Sequence, residues 1–146
     1  MFFGKHSLPL TENKRLTLPS GFREGMGHFV YVTQGFDQNL LLLPQPAFNA
    51  ICANVKTISI TDPMARLLNR LFLGSAEEVT VGKSGQIELP GQLCEYASLG
   101  EEVIIVGQGD YLEVWSPNQW QKQIENIRDL ESDPHRFEKF HVSLVQ

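Results

Sequence analysis

The sequence predicts a mainly β protein with short helices, in which two tandem copies of one unit pack about a pseudo-twofold axis. Three observations carry this. An alternating motif that ends in Pro occurs twice, as Arg15-Leu16-Thr17-Leu18-Pro19 and Gln86-Ile87-Glu88-Leu89-Pro90, 71 residues apart (90 − 19). The pattern downstream repeats in step, since Gly35 answers Gly107 and Phe48 answers Trp120, both at 72. Each copy also places a short Gly-containing connection between two apolar runs, as a hairpin requires.

The elements follow in chain order. Leu16 with Leu18, and Ile87 with Leu89, alternate as on a half-buried strand. The Pro that follows has no N–H and ends the pairing. Two further strands are expected in each copy, over residues 28–33 and 39–43, and over 102–106 and 111–115. A helix closes each copy. The second is the better marked: Ser116 caps it, Pro117 takes the first helical position, and Trp120, Ile124 and Ile127 share a face. Between the copies, Thr61 or Asp62 caps a linker helix that Pro63 opens and Gly74 closes. Its Met64, Leu67, Leu68, Leu71 and Phe72 recur at helical spacing and predict one buried stripe. A unit of some forty residues has too little core to stand alone, so the two copies are expected to share one. The expected limits are unit 1 at 1–55, the linker helix region at 56–76, unit 2 at 77–130 and a polar C-terminal tail at 131–146. That tail reads either as unstructured or as one short extra helix over 134–142.

Composition narrows the function. The chain is 42% hydrophobic and 20% charged, the balance of a folded protein. It has no apolar run of about 20 residues, so no membrane partner is expected. Met1 to His6 lacks the pattern of a secretory signal, and a cytoplasmic protein is expected. Cys52 and Cys94 lack metal spacing and read as reduced, packed thiols. The net charge of −5 argues against a general polyanion binder. The charge is uneven, however. Residues 1–30 carry Lys5, Lys14, Arg15 and Arg23 against Glu12 and Glu24, whereas from Glu95 onward there are ten acidic and four basic side chains.

The start Met1-Phe2-Phe3-Gly4 and the run Arg15-Leu16-Thr17-Leu18-Pro19-Ser20-Gly21-Phe22-Arg23-Glu24 resemble the first half of an MraZ protein. Ile87-Glu88-Leu89-Pro90, Leu93-Cys94-Glu95-Tyr96-Ala97 and Glu113-Val114-Trp115 resemble the second. Arg70-Leu71-Phe72 with Ser75-Ala76 is similar to the family's linker, and the resemblance spans roughly residues 1–130. It implies two tandem SpoVT-AbrB-like swapped-hairpin units that form a pseudo-twofold double-split β-barrel. It further implies a nucleoid-associated DNA-binding transcriptional regulator that assembles as a ring-shaped homo-oligomer. Such a regulator binds direct repeats upstream of the division and cell-wall gene cluster. It uses no cofactor and catalyses nothing.

In that family each half presents an Arg to DNA from a turn that reads Asp, Lys, Gly and Arg. Here the first turn is Thr11-Glu12-Asn13-Lys14-Arg15, which keeps Arg15 and places Lys14 at the Gly position. The second is Gly82-Lys83-Ser84-Gly85-Gln86, which keeps Gly85 and places Gln86 at the Arg position. An Arg fork on guanine discriminates by ~1–3 kcal/mol, and Gln has neither that fork nor its charge. The second half is therefore expected to contribute less, or to read another base. If the first turn needs a left-handed residue, Asn13 is an alternative to Lys14. The candidate DNA-binding residues are Arg15, Lys14, Asn13, Lys5, Arg23, Lys83 and Gln86. Solvated turns are the alternative for each of them, most strongly for Lys83 and Gln86.

The remaining constellations are ordinary. The four His residues lack metal spacing, and Glu77-Glu78 and Glu101-Glu102 read as solvated faces. No Ser has a His/Asp setting. Phe2 and Phe3 fit either a subunit contact or core packing. Two rival functions stand beside the regulator: an oligomeric scaffold of the same fold, and a partner-binding protein with degenerate DNA readout.

Overall fold

A computed structural model describes residues 1–141 of the chain. The first half contains β1 (Lys5–Pro9), β2 (Arg15–Thr17), the short helix α1 (Ser20–Arg23), β3 (Phe29–Gln34), β4 (Leu40–Pro44) and α2 (Gln45–Val55). The linker holds α3 (Pro63–Phe72). The second half contains β5 (Glu77–Thr80), β6 (Gln86–Glu88), α4 (Gly91–Tyr96), β7 (Glu102–Gly107), β8 (Leu112–Trp115) and α5 (Pro117–Asp129).

The strands form a six-stranded sheet in the order β1-β7-β8-β4-β3-β5 and a two-stranded ribbon of β2 with β6. Exchanging the halves leaves this pairing unchanged. β1 on β7 becomes β5 on β3, while the β4–β8 and β2–β6 pairs map onto themselves. The register locates the axis: Leu41 faces Glu113, 72 residues on, and Leu16 faces Ile87, 71 residues on. Each half is thus completed by a strand of the other, as the swapped-hairpin expectation requires. Among the described residues the strands stay as one sheet and one ribbon, with no single closed ladder.

One core serves both halves. Leu16, Leu18, Phe22 and Val32 from the first pack with Ile87, Leu89, Leu93 and Val114 from the second, all nearly inaccessible. A smaller cluster on the other side of the sheet packs Leu41, Leu43 and Phe72 against Tyr31, Phe48 and Tyr111. Phe2 joins the main core, edge-on to Phe22 at 6.2 Å, whereas Phe3 is exposed. The two aromatics at the start thus divide between the two readings. Cys52 is half-buried and Cys94 buried, and both are free thiols.

Several elements depart from the sequence-based expectation. β1 was not expected as a strand, and β5 was marked only by the reading of Glu77-Glu78 as a solvated strand start. They are the sheet's edges, and their mostly exposed side chains give no alternating apolar signal. The short α1 and α4, each directly after its Pro, were not expected either. The linker helix is capped by Asp62, whose carboxylate accepts from the Met64 N–H at 2.9 Å. Its stripe is only partly buried: Phe72 is covered, but Met64 is 69% and Leu67 54% exposed. The periodicity was real, but of the stripe's five residues only Phe72 is fully buried, stacked near Phe48 of α2. In α5, Ser116 caps as expected, accepting from Gln119 N–H at 3.2 Å. Trp120 and Ile124 are half-buried and Ile127 is exposed. The region 134–141 forms one short 3-10 turn at Glu138–Phe140, and the expected end of that helix at 142 lies outside the described residues.

Candidate nucleic-acid interface

The two turns before β2 and β6 share one construction. In the first, Lys14 N–H donates to Thr11 O at 2.9 Å, and Thr11 N–H donates to Arg15 O at 3.0 Å. In the second, Gly85 N–H donates to Gly82 O at 2.9 Å, and Gly82 N–H donates to Gln86 O at 2.8 Å. A three-residue loop of this kind closes on a left-handed residue. Lys14 takes that position with φ +62°, and Gly85 with φ +84°. Asn13 does not take it, so the alternative raised by the sequence is set aside. Thr11 Oγ1 adds a bond from Arg15 N–H at 3.1 Å, which Gly82 cannot match.

The turns are strapped together. Leu18 N–H donates to Gly85 O at 2.9 Å, and Leu89 N–H donates to Lys14 O at 2.8 Å. Between them the ribbon turns Leu16 and Ile87 inward and leaves Arg15, Thr17, Gln86 and Glu88 exposed on its outer face. Arg15 and Gln86 therefore lie on one surface, offset by one cross-strand step, because Arg15 pairs with Glu88 and Thr17 with Gln86.

The charges on this face are partly matched. Arg15 Nε meets Glu88 Oε1 at 3.1 Å, with both side chains more than half exposed. Such a pair is worth about 0–1 kcal/mol and yields readily to a better acceptor. The groove beside the first turn brings Asn13, Lys14 and Arg15 together with Glu77, Glu78 and Glu88. Cys94 lies behind Lys14. Burial pushes its thiol pKa up, and the Lys14 ammonium pulls it back. At the second turn the side chain of Arg23 lies across Gly85, so close that a Cβ there would sit 2.5 Å from Nε. Arg23 Nε donates to Leu18 O at 2.8 Å.

Six of the seven candidates thus surround the ribbon: Asn13, Lys14 and Arg15 at one turn, Lys83 and Gln86 at the other, and Arg23 against it. Lys5 is set apart. It lies at the far end of β1 from the first turn, with its ammonium 5.7 Å from the centre of the Trp120 ring. Glu88 was not singled out from the sequence. It occupies the repeat position of Thr17, and only the antiparallel register puts it opposite Arg15. Among the described residues, no three His, Cys, Asp or Glu side chains gather as metal ligands.

Comparison with known proteins bears on this arrangement. A family model described as "MraZ protein, putative antitoxin-like" matches the chain twice, over residues 1–71 and 72–141. A protein of Herpetosiphon aurantiacus named "Transcriptional regulator MraZ" is 36% identical over 129 residues, which are 88% of this chain and 90% of that one. Proteins of the same name from Thermomicrobium roseum and Carboxydothermus hydrogenoformans are 36% and 38% identical. Those alignments cover 86% and 82% of this chain, and 88% and 84% of the relatives.

Proposed function

The chain belongs to the MraZ family of transcriptional regulators, and from that premise we propose that it binds operator DNA through the β2–β6 ribbon and its two flanking turns. The observation that carries this reading is the ribbon's outer face. It exposes Arg15 and Gln86 together on a short two-stranded element whose inward residues, Leu16 and Ile87, are locked in the core. A two-stranded ribbon fits the major groove of B-DNA. Arg15 is the base reader, released from Glu88 on binding, and Gln86 is suited to adenine or to a phosphate. Lys14, Asn13, Arg23 and Lys83 flank these two as backbone contacts. Lys5, on the α5 side, would contact only DNA that curves around the molecule.

The target is a set of direct repeats upstream of the division and cell-wall gene cluster. Repeated sites suit a ring-shaped homo-oligomer, in which many weak contacts act at high effective concentration. Self-association is supported by the exposed Met64 and Leu67, one turn apart on α3, with Ile60 just before them at 74% exposure. A cytoplasmic, nucleoid-associated protein follows from this reading. No helix among the described residues is long and apolar enough to cross a membrane.

The Arg15–Glu88 pair and the net charge of −5 favour a second reading, an oligomeric scaffold that has lost specific readout. Titration of the purified protein against the DNA upstream of its own gene, with a scrambled duplex as control, separates the two. A regulator prefers the upstream DNA and loses that preference in Arg15→Ala, by roughly five- to 150-fold for an Arg fork worth ~1–3 kcal/mol. Equal binding of both duplexes, unchanged in Arg15→Ala, points to the scaffold.

A further inference from the structure

The loss of the second-turn Arg suggests a weakened second half, but the charge around the two turns points the other way. A recess beside the second turn is lined by seven residues, among them Arg23, His28, Lys83 and Gly85. None of the seven is acidic. The repeat gives an internal control, because hydrogen bonding fixes which residues correspond. Val81 N–H donates to His28 O just as Leu10 N–H donates to Glu101 O, both at 2.8 Å. Around the first turn the position of His28 is therefore held by Glu101. At a shift of 71, that of Arg23 is held by Cys94 and that of Lys83 by Glu12. One recess carries two permanent cations and a His. Its counterpart carries two carboxylates, a buried thiol and, at the position of Gly85, the single cation Lys14.

We propose that the recess formed across the two halves by Arg23, His28 and Lys83 is the seat for a DNA backbone phosphate, so that the second turn anchors the duplex and the first turn reads it. This rests on the DNA-binding reading above. Arg23 comes from the first half yet lies on the turn of the second. Its Nε is held by Leu18 O, and the Nη pair has no protein partner among the described residues. A guanidinium pinned at Nε loses little freedom when its remaining fork grips two phosphate oxygens. Gly85 permits this arrangement, since any side chain there would displace Arg23. Neither Arg23 nor Lys83 has a carboxylate within ion-pair distance among the described residues, so a phosphate meets no competitor. Arg15 does have one in Glu88. A phosphate contact carries no sequence information, whereas Arg15 on the ribbon face supplies the discrimination.

The test is the salt dependence of binding to the upstream and scrambled duplexes, measured by fluorescence anisotropy with the full-length protein. The variants are Arg23→Gln, Arg23→Lys, Lys83→Gln and Arg15→Gln. Removing one phosphate-binding cation flattens the slope of log K against log salt by about 0.9 per engaged protomer. Arg23→Gln and Lys83→Gln should each flatten it on both duplexes alike and leave the ratio between duplexes unchanged. Arg23→Lys should restore most of the slope. Arg15→Gln should collapse the ratio. Lys83 makes no structural hydrogen bond among the described residues, so its variant keeps the test decisive even if Arg23→Gln perturbs the fold. Unchanged slopes in the Arg23 and Lys83 variants of a protein that still prefers the upstream DNA would overturn the seat alone. A wild-type protein that binds neither duplex overturns the seat and the regulator together.

Discussion

Lys14 shows what a single residue costs here. It stands at a left-handed position, φ +62°, where its second-half counterpart is Gly85. An L side chain in that region costs about 1–2 kcal/mol, because Cβ crowds the following carbonyl. Lys14→Gly is therefore expected to raise the unfolding free energy by about 1 kcal/mol in urea denaturation, after the greater chain entropy of Gly is set against it. No gain would mean that the lysine's own interactions offset the strain. At this scale the sequence was legible where a residue acts through its own turn. Arg15, Lys14 and Gly85 could all be placed from the repeat. Glu88 and Arg23 could not, because their roles depend on a cross-strand register and on a side chain that reaches into the other half.

Among the elements, the strands with buried alternation were legible, and the edge strand β1 was not, since backbone pairing rather than apolar pattern holds it in place. The helix α3 marks the limit of periodicity as a signal. A 3.6-residue pattern identifies a face without saying what covers it. β8 carries a different device. Glu113 faces Leu41 at the pseudo-twofold axis and accepts from Asn39 Nδ2 at 3.0 Å, and from Gln108 Nε2 and Trp115 Nε1 at 3.1 Å. Burial raises its pKa above the usual 4.5, the three donors pull it back, and Asp37 adds a smaller upward push. The net direction is up. A carboxyl with a raised folded pKa favours the folded state while protonated, and that contribution is lost as pH rises from 4.5 through the folded value. Relative to Glu113→Gln, the wild type should lose stability between acid and neutral pH, as paired urea titrations at each pH would show. A constant difference across that range would mean that the donors fully offset the burial.

The whole molecule is two interleaved halves, because β1 needs β7 and β5 needs β3. The repeat and its shared core were legible in the sequence, and the family resemblance implied an exchange between halves, whereas the register of that exchange became visible only in the pairing. The same symmetry yields one face with unequal ends, since the two turns share a backbone and differ in charge. Assembly beyond one chain falls to the apolar surface of α3. Met64→Glu with Leu67→Glu should leave the fold intact and shift sedimentation from oligomer to smaller species. Unaltered sedimentation would move the self-association surface elsewhere.

Operator binding through the ribbon is read out by a hydroxyl-radical footprint of the wild-type protein on the DNA upstream of its own gene. Protection should recur once per direct repeat, on one side of the duplex, and disappear with Arg15→Ala. Even protection along the fragment, or none at a protein concentration where the oligomer is intact, would contradict operator binding through the ribbon.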